Sequence, residues 1–222
     1  MVAMIKVDIF SDPICPWCFI GKRRFEKAQA ARPDVTATVR WRTFQLNPTM
    51  PPDGMERQTY LSTKFGSADH ASQLYDNIRQ VGAGVGIDFA FDRIDRTPNT
   101  VNAHRLIRFA DRAGAEDAAV EALFRAYFLD GRDIGDIETL TAIALQAGLD
   151  KRDVAAYLAR DEDGDKVQSE DLQARRLGIQ GVPCFIIADQ YAVSGAQEPE
   201  AFFPLFDMVL AQTASRAATA ES

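Results

Sequence analysis

Apolar and polar residues alternate in two stretches near the start of the chain. Residues 4–10 and 35–41 both have the period of two that is typical of half-buried strands. Between them, residues 19–31 are predicted to form a helix that ends before Pro33. A strand, a helix and a second strand over this length predict a βαβ unit with a right-handed crossover.

The spacing of apolar residues changes after residue 54. Over residues 55–162 the apolar positions recur at helical intervals and no stretch reads as a convincing strand. A polar helix at about residues 163–177 follows, and then two short apolar runs, 184–188 and 190–194, predict a β-hairpin. The pattern predicts an α/β protein in which a helical unit interrupts two pieces, residues 1–54 and 163–222.

The first predicted strand runs directly into a Cys-x-x-Cys motif. The motif is Cys15-Pro16-Trp17-Cys18, and the helix follows at once. Cys15 is therefore expected at a helix N-terminus, where free backbone N–H groups and the helix dipole favour an anion such as a thiolate. Cys18 lies one turn further on, close enough to attack a mixed disulfide formed at Cys15. The motif predicts thiol redox chemistry.

Two other interpretations of the cysteine pair compete with redox chemistry. It could be a buried structural pair, although a strand–Cys-x-x-Cys–helix context is unusual for inert thiols. It could also bind zinc, which needs four ligands. The rest of the chain offers only Cys184, His70 and His104 for that purpose, so no metal site is expected.

Composition and net charge limit the kinds of binding partner expected for this chain. The chain has 222 residues and a net charge of −7 with scattered basic residues, which argues against nucleic acid as a partner. No apolar run approaches the length of a membrane span, and no secretory leader precedes the first strand. A cytoplasmic location is expected, and there a Cys-x-x-Cys motif is more often catalytic than structural.

Five stretches in a fixed order resemble the DsbA family of thioredoxin-fold proteins, and among them its cytosolic FrnE-like branch. The likeness covers nearly the whole chain, and it implies a thioredoxin fold with a large all-helical domain, residues 55–162, inserted between its βαβ and ββα halves. The stretches are Ser-Asp-Pro-Ile-Cys-Pro-Trp-Cys-Phe-Ile-Gly (11–21), Phe-Gln-Leu-Asn-Pro (44–48), Asn-Thr-Val-Asn-Ala-His-Arg-Leu (99–106), Gly-Val-Pro (181–183) and Ser-Gly-Ala-Gln (194–197).

The resemblance implies a protein disulfide oxidoreductase or isomerase. Cys15 is then the nucleophile and Cys18 the resolving thiol, while Pro16 and Trp17 set the stiffness and surroundings of the loop. Trp17 stands where DsbA has a histidine and offers no positive charge to the Cys15 thiolate.

Other residues receive expected roles from the same resemblance. Pro183 corresponds to the cis-proline of the fold, which exposes the backbone of Val182 to an extended substrate; the alternative is a trans proline at a strand start. Asp8 is either a buried carboxylate behind Cys18 or an ordinary solvent-facing strand residue. His104 is more plausibly a satisfied structural histidine than a group facing the site, and it is assigned, with Asn99, to the substrate side.

The superfamily also leaves two further functions open. One is a glutathione-dependent isomerase or transferase of the kappa or 2-hydroxychromene-2-carboxylate type, although those proteins have serine where this chain has Cys15. The other is a non-catalytic thioredoxin-like adaptor.

The expected partners are protein or small thiol and disulfide substrates, with glutathione as a candidate redox partner and no bound cofactor. The protein is expected to be a monomer or homodimer. Cys184 either fills a small apolar space or exchanges with the active pair.

Overall fold

Six strands and nine helices form the part of the chain described by the computed structural model, which covers residues 3–66 and 68–220. The strands are β1 (Ala3–Ser11), β2 (Val35–Thr43), β3 (Met55–Glu56), β4 (Arg96–Thr97), β5 (Cys184–Ile187) and β6 (Tyr191–Ser194). The helices are α1 (Pro16–Ala31), α2 (Arg57–Phe65), α3 (Ala68–Ala83), α4 (Val101–Arg112), α5 (Glu116–Phe128), α6 (Ile137–Gln146), α7 (Lys151–Leu158), α8 (Gly164–Arg176) and α9 (Phe203–Ala220). Within these ranges, no helix combines the length and the apolar character needed to cross a bilayer.

Four of the strands make one mixed sheet in the order β2-β1-β5-β6. β1 and β2 are parallel and joined by α1, while β5 pairs antiparallel with both β1 and β6. A βαβ unit followed by a β-hairpin and a closing helix is the thioredoxin arrangement, as the sequence predicted. The helices α2–α7 lie between these two halves along the chain.

The alternation in β1 directs its side chains to two separate apolar clusters, one on each face of the sheet. Val7 and Ile9 are fully buried in a large cluster that also contains Cys15 and Cys18. Phe10 points the other way and packs with a smaller cluster. The active cysteines therefore share one face of the sheet with the main core.

Contacts between aromatic rings and hydrogen bonds attach the helical segment to the sheet. The ring of Phe19, on α1, stacks on Phe124 of α5 at a centroid distance of 5.0 Å. Trp41, on β2, donates from its indole nitrogen to Asp117 at the start of α5, over 3.1 Å. The helical segment is thus joined directly to the helix that carries the Cys-x-x-Cys motif.

The inserted segment is not entirely helical, which corrects one detail of the prediction. β3 and β4 form a two-stranded ladder in which Met55 pairs with Thr97. Each strand has only two residues, so neither has the alternation by which a strand is recognised in a sequence. The backbone N–H of Arg57 extends this contact by donating to the carbonyl of Asp95 over 2.8 Å.

We predict that Gly21→Ala destabilises the protein. A Cβ at this position on α1 would lie 2.8 Å from Cγ of Pro183 and 3.4 Å from the Phe185 ring. Overpacking of this kind costs about 1–3 kcal/mol, which exceeds the gain of about 1 kcal/mol in helix propensity. Urea unfolding measures the difference. The matched control is Gly181→Ala, whose Cβ would meet nothing within 4 Å; an equal stability for the two variants would contradict this packing.

Candidate functional site

The two cysteines lie at the start of α1, as predicted. Cys15 is the N-cap residue and has extended backbone angles, and its own N–H donates to the Asp12 carbonyl over 2.9 Å. Its carbonyl accepts from the N–H of Cys18 at 3.0 Å, which closes the first turn. Pro16 occupies the first helical turn, where a missing N–H costs nothing. Trp17 is half-buried against the main core.

Cys18 is the more deeply buried of the two thiols. Its exposed fraction is 1%, against 4% for Cys15, and neither is in a disulfide. Burial raises the pKa of the Cys18 thiol well above its ordinary value, and the neighbouring Cys15 adds to the rise. The Ser11 side chain and the Asp12 backbone act to lower this pKa. The Cys18 thiol therefore stays protonated at neutral pH.

The loop before β5 reaches the first cysteine. The Cys15 thiol donates to the carbonyl oxygen of Val182, with 3.5 Å between the sulfur and the oxygen. The Val182–Pro183 peptide bond is cis, the isomer expected for this position. Pro183 is buried against α1. The structure thus brings Val182 and Pro183 together with Cys15.

A buried carboxyl group holds the loop between β1 and α1 in place. The sequence did not identify it. Asp12 has an exposed fraction of 0%, and its Oδ2 accepts from the N–H of Leu46 over 2.7 Å. Its Oδ1 accepts a longer bond, 3.4 Å, from the N–H of Ile14. Burial raises the pKa of Asp12 to about 7, although these hydrogen bonds act in the opposite direction. Asp12 is therefore an acid that titrates near neutral pH beside the active cysteines.

His104 faces Asp12 from α4. Only 3% of the histidine is exposed, and its Nε2 lies 3.8 Å from Oδ1 of Asp12. Burial lowers the pKa of His104 to about 4, while a hydrogen bond to the Phe44 backbone acts to raise it. Among the described residues, Nε2 has no hydrogen-bond partner. The interpretation of His104 as a structural histidine stays a prediction. Its imidazole is neutral at pH 7 with one nitrogen unused.

Asp8 does not lie behind Cys18, which corrects the first of the two roles considered for it. β1 alternates, so Asp8 projects from the face opposite to Val7 and Ile9. Its side chain is 13% exposed and its Oδ2 lies 3.2 Å from Nζ of Lys6. The carboxyl group near the cysteines is that of Asp12.

The side chain of Asn99 makes two hydrogen bonds within the protein. Its amide nitrogen donates to the Met50 carbonyl over 2.7 Å, and its amide oxygen accepts from the N–H of Val101 at 3.0 Å. These bonds tie the start of α4 to the loop after β2. Both polar atoms of the side chain are occupied, so a part in substrate binding remains only an expectation.

Arg57 is one of the buried charged residues of the inserted segment. Arg57 is 7% exposed and donates to the hydroxyl oxygens of Tyr75, over 2.7 Å, and Thr97, over 3.0 Å. Its guanidinium also lies over the Tyr60 ring, 5.6 Å from the centroid. Among the described residues, no carboxylate forms a salt bridge with Arg57. Hydroxyl groups and aromatic faces stabilise this cation instead.

The third cysteine lies on the other face of the sheet. Cys184 pairs with Phe10 across the β1–β5 ladder and packs in the smaller apolar cluster. Burial raises the pKa of its thiol, while a hydrogen bond with Ser194 acts in the opposite direction. This position favours the interpretation of Cys184 as a small buried apolar side chain.

The chain is similar to known proteins over most of its length. A family model described as a DSBA-like thioredoxin domain matches residues 6–204. The chain belongs to this family. The DsbA-like assignment agrees with the thioredoxin topology and with the cysteine pair at the N-terminus of α1.

Individual relatives extend the match over most of the chain. A crystal structure of a probable DsbA oxidoreductase, SCO1869 from Streptomyces coelicolor, is 35% identical with a TM-score of 0.83, over 93% of this chain and 90% of that one. The uncharacterised protein YwbO of Bacillus subtilis is 28% identical over 203 residues, covering 89% of this chain and 94% of YwbO. The cytosolic disulfide reductase DsbM from Pseudomonas aeruginosa, solved with GSH, shares the fold at 16% identity and a TM-score of 0.63, over 92% of this chain and 98% of that one.

We predict that Asp12 makes stability depend on pH near neutrality. Its folded pKa of about 7 lies above the ordinary value of 3.8, so the folded protein binds the proton more tightly. This contribution to the free energy of unfolding is complete below about pH 4 and is lost as the pH rises through 7. Urea unfolding of the wild type and Asp12→Asn from about pH 5 to about pH 8 should show the advantage of the wild type shrinking.

His104, 3.8 Å from Asp12, changes stability in the opposite direction, because its lowered pKa makes stability fall as the pH drops from about 6.5 towards 4. The contribution of Asp12 is therefore read above about pH 7, where His104 is neutral in the folded protein and mostly neutral in the unfolded one. A stability difference between wild type and Asp12→Asn that stays constant over the whole range would contradict the assignment.

Proposed function

We propose that this DsbA-like protein is a thiol–disulfide oxidoreductase that acts through Cys15 and Cys18. The observation that carries the proposal is the position of Cys15: it caps α1 and contacts the Val182 carbonyl at 3.5 Å, and the buried Cys18 lies one turn further on. Backbone N–H groups at a helix start stabilise a thiolate, and the second thiol is placed to resolve a mixed disulfide.

The first step is attack on the substrate. The Cys15 thiolate attacks one sulfur of a substrate disulfide, the substrate S–S bond breaks, and the other sulfur leaves as a thiolate. Cys15 is then joined to the substrate in a mixed disulfide. The Val182 carbonyl, next to the reacting sulfur, is available to an N–H of an extended substrate once the Cys15 proton has gone.

The second step releases the substrate. Cys18 loses its proton and attacks Cys15 Sγ, so that the Cys15–Cys18 bond forms while the mixed disulfide breaks. The substrate leaves with both of its sulfurs reduced, and the protein holds the two-electron oxidised disulfide. The same steps in reverse oxidise a dithiol substrate.

We infer protein or small-molecule disulfides as substrates and the cytoplasm as the location. The fold similarity to a cytosolic disulfide reductase solved with GSH supports glutathione as a redox partner that restores one form of the pair. Structural disulfides are rare in a reducing compartment, and a Cys-x-x-Cys motif there is more often catalytic than structural.

We predict that alkylation distinguishes the three thiols. Iodoacetamide at about pH 6.5 should modify Cys15 of the reduced protein first, because Cys15 is the N-cap residue of α1 and burial keeps Cys18 and Cys184 protonated. Peptide mapping by mass spectrometry identifies the modified residue. Faster labelling of Cys18 than of Cys15 would overturn the assignment of the nucleophile.

Insulin reduction tests the activity itself. The wild type should reduce insulin in the presence of a thiol reductant, and Cys15→Ser should lose this activity. Cys18→Ser should accumulate mixed disulfides through Cys15, because the resolving thiol is missing. Cys184→Ala is the matched control and should retain wild-type turnover. An inactive wild type with both thiols free would contradict the proposal and favour an adaptor.

A further inference from the structure

We propose that a groove on the face of the sheet that carries Cys184 binds a segment of a polypeptide substrate, next to the disulfide that Cys15 attacks. This inference rests on the proposed thiol–disulfide exchange and names its substrate class, an unfolded protein chain. The groove encloses about 990 Å³, at the upper end of the range of about 300–1,000 Å³ for ligand sites. This rear groove is lined by α8, by residues 177–182 and by the strand residues Lys6, Asp8, Phe10, Cys184, Ile186 and Ala192.

The rear groove begins at the loop that contacts the nucleophile. Gly181 and Val182 line it, and the carbonyl oxygen of Val182 lies 3.5 Å from the Cys15 sulfur. A Cβ at Gly181 would meet nothing within 4 Å, so the backbone there is open to an approaching chain. A substrate that pairs with the Val182 backbone beside its own cysteine can therefore place its next residues in the rear groove.

The rear groove follows the strands over the length of several residues. On β1 its lining runs from Phe10, which pairs with Cys184, to Lys6, whose carbonyl accepts from the N–H of Ala188 at the far end of β5. Four residues of strand span about 13 Å at about 3.3 Å per residue. An extended substrate segment of about four residues fits this length, whereas a disulfide without a flanking chain leaves it empty.

Exposed apolar side chains lie at both ends of this face. Leu177, in the lining beside α8, is 68% exposed, and Met4, near the start of β1, is 76% exposed. Strand alternation places Met4 on the same face as Lys6 and Phe10. Ile186 is half-buried in the floor. Exposed apolar groups along a groove are typical of a binding surface, and an unfolded chain supplies the apolar side chains to cover them.

The polar groups of the rear groove favour a segment with N–H donors and a basic residue. Among the described residues, Oδ1 of Asp8 is buried and has no hydrogen-bond partner, while its Oδ2 lies 3.2 Å from Nζ of Lys6. The lining holds three carboxylates and two cations, and both cations are paired, Lys6 with Asp189 and Arg42 with Glu170, each over 2.7 Å. A backbone N–H, a lysine or an arginine of the substrate can donate to Asp8 Oδ1.

Two synthetic peptides with a central cysteine test this binding. Both contain lysine and leucine, they are about three and about twelve residues long, and each is activated as a mixed disulfide with thionitrobenzoate. The Cys15 thiolate attacks the peptide sulfur, the S–S bond breaks and thionitrobenzoate leaves with the electron pair, so its absorbance gives the rate. The longer peptide should react at least about fivefold faster with the reduced wild type, because binding remote from the reacting sulfur lowers the barrier.

Leu177→Ser and Ala192→Arg change the rear groove without altering the cysteine pair. The first removes an exposed apolar group from the lining, and the second adds a long cationic side chain on β6. Both should remove most of the advantage of the longer peptide, while the rates with the short peptide and with the small aromatic disulfide DTNB stay within about twofold. Leu145→Ser is the matched control and should change no rate, because Leu145 is 61% exposed on α6 and is not part of the lining.

Equal rates for the two peptides with the wild type would contradict the rear groove as a substrate site while leaving the proposed function intact. So would an advantage of the longer peptide that either groove variant retains in full, or one that Leu145→Ser also loses. Mass spectrometry of the products tests the chemistry separately. A wild type that forms no Cys15–Cys18 disulfide with either peptide would contradict the proposed function, and the inference with it.

Discussion

The buried Asp12 carboxyl group joins the active-site loop to the segment that follows β2. Its hydrogen bond to the Leu46 N–H, 2.7 Å long, fixes the loop, and the Asp12 carbonyl fixes the N–H of Cys15. Backbone and side chain of Asp12 thus both position the loop from which α1 begins. Taking a carboxyl group out of water is costly unless hydrogen bonds compensate or it is neutral, and the pKa of about 7 for Asp12 reflects that balance.

The sheet separates Cys184 from the Cys15–Cys18 pair. Cys15 and Cys18 lie on the face that packs against α1 and the inserted helices, whereas Cys184 lies on the face of Phe10. Strand alternation alone produces this separation, because Cys184 and Phe185 point to opposite sides of β5. Cys184 therefore lies on the opposite face of the sheet from the Cys15–Cys18 pair, although it directly follows Pro183.

The sequence predicted the four strands of the main sheet, α1 and the cysteine pair because each has a local signal: alternation, helical spacing, or a Cys-x-x-Cys motif between them. The role of Asp12 has no such signal. A carboxyl group in a Ser-Asp-Pro stretch reads as a turn residue, and its burial depends on Leu46 and His104, which are distant in sequence. Asp8 does not lie there, because the alternation of β1 directs it to the face opposite to Val7 and Ile9. The unpaired Nε2 of His104 likewise depends on tertiary packing.

A redox titration of the wild type in glutathione buffers tests the central claim most directly. Intact mass after acid quenching gives the oxidised fraction, and peptide mapping gives the pairing. The account predicts one two-electron transition that produces a single disulfide between Cys15 and Cys18, with Cys184 remaining a free thiol. The absence of a transition, or a disulfide that includes Cys184, would contradict it.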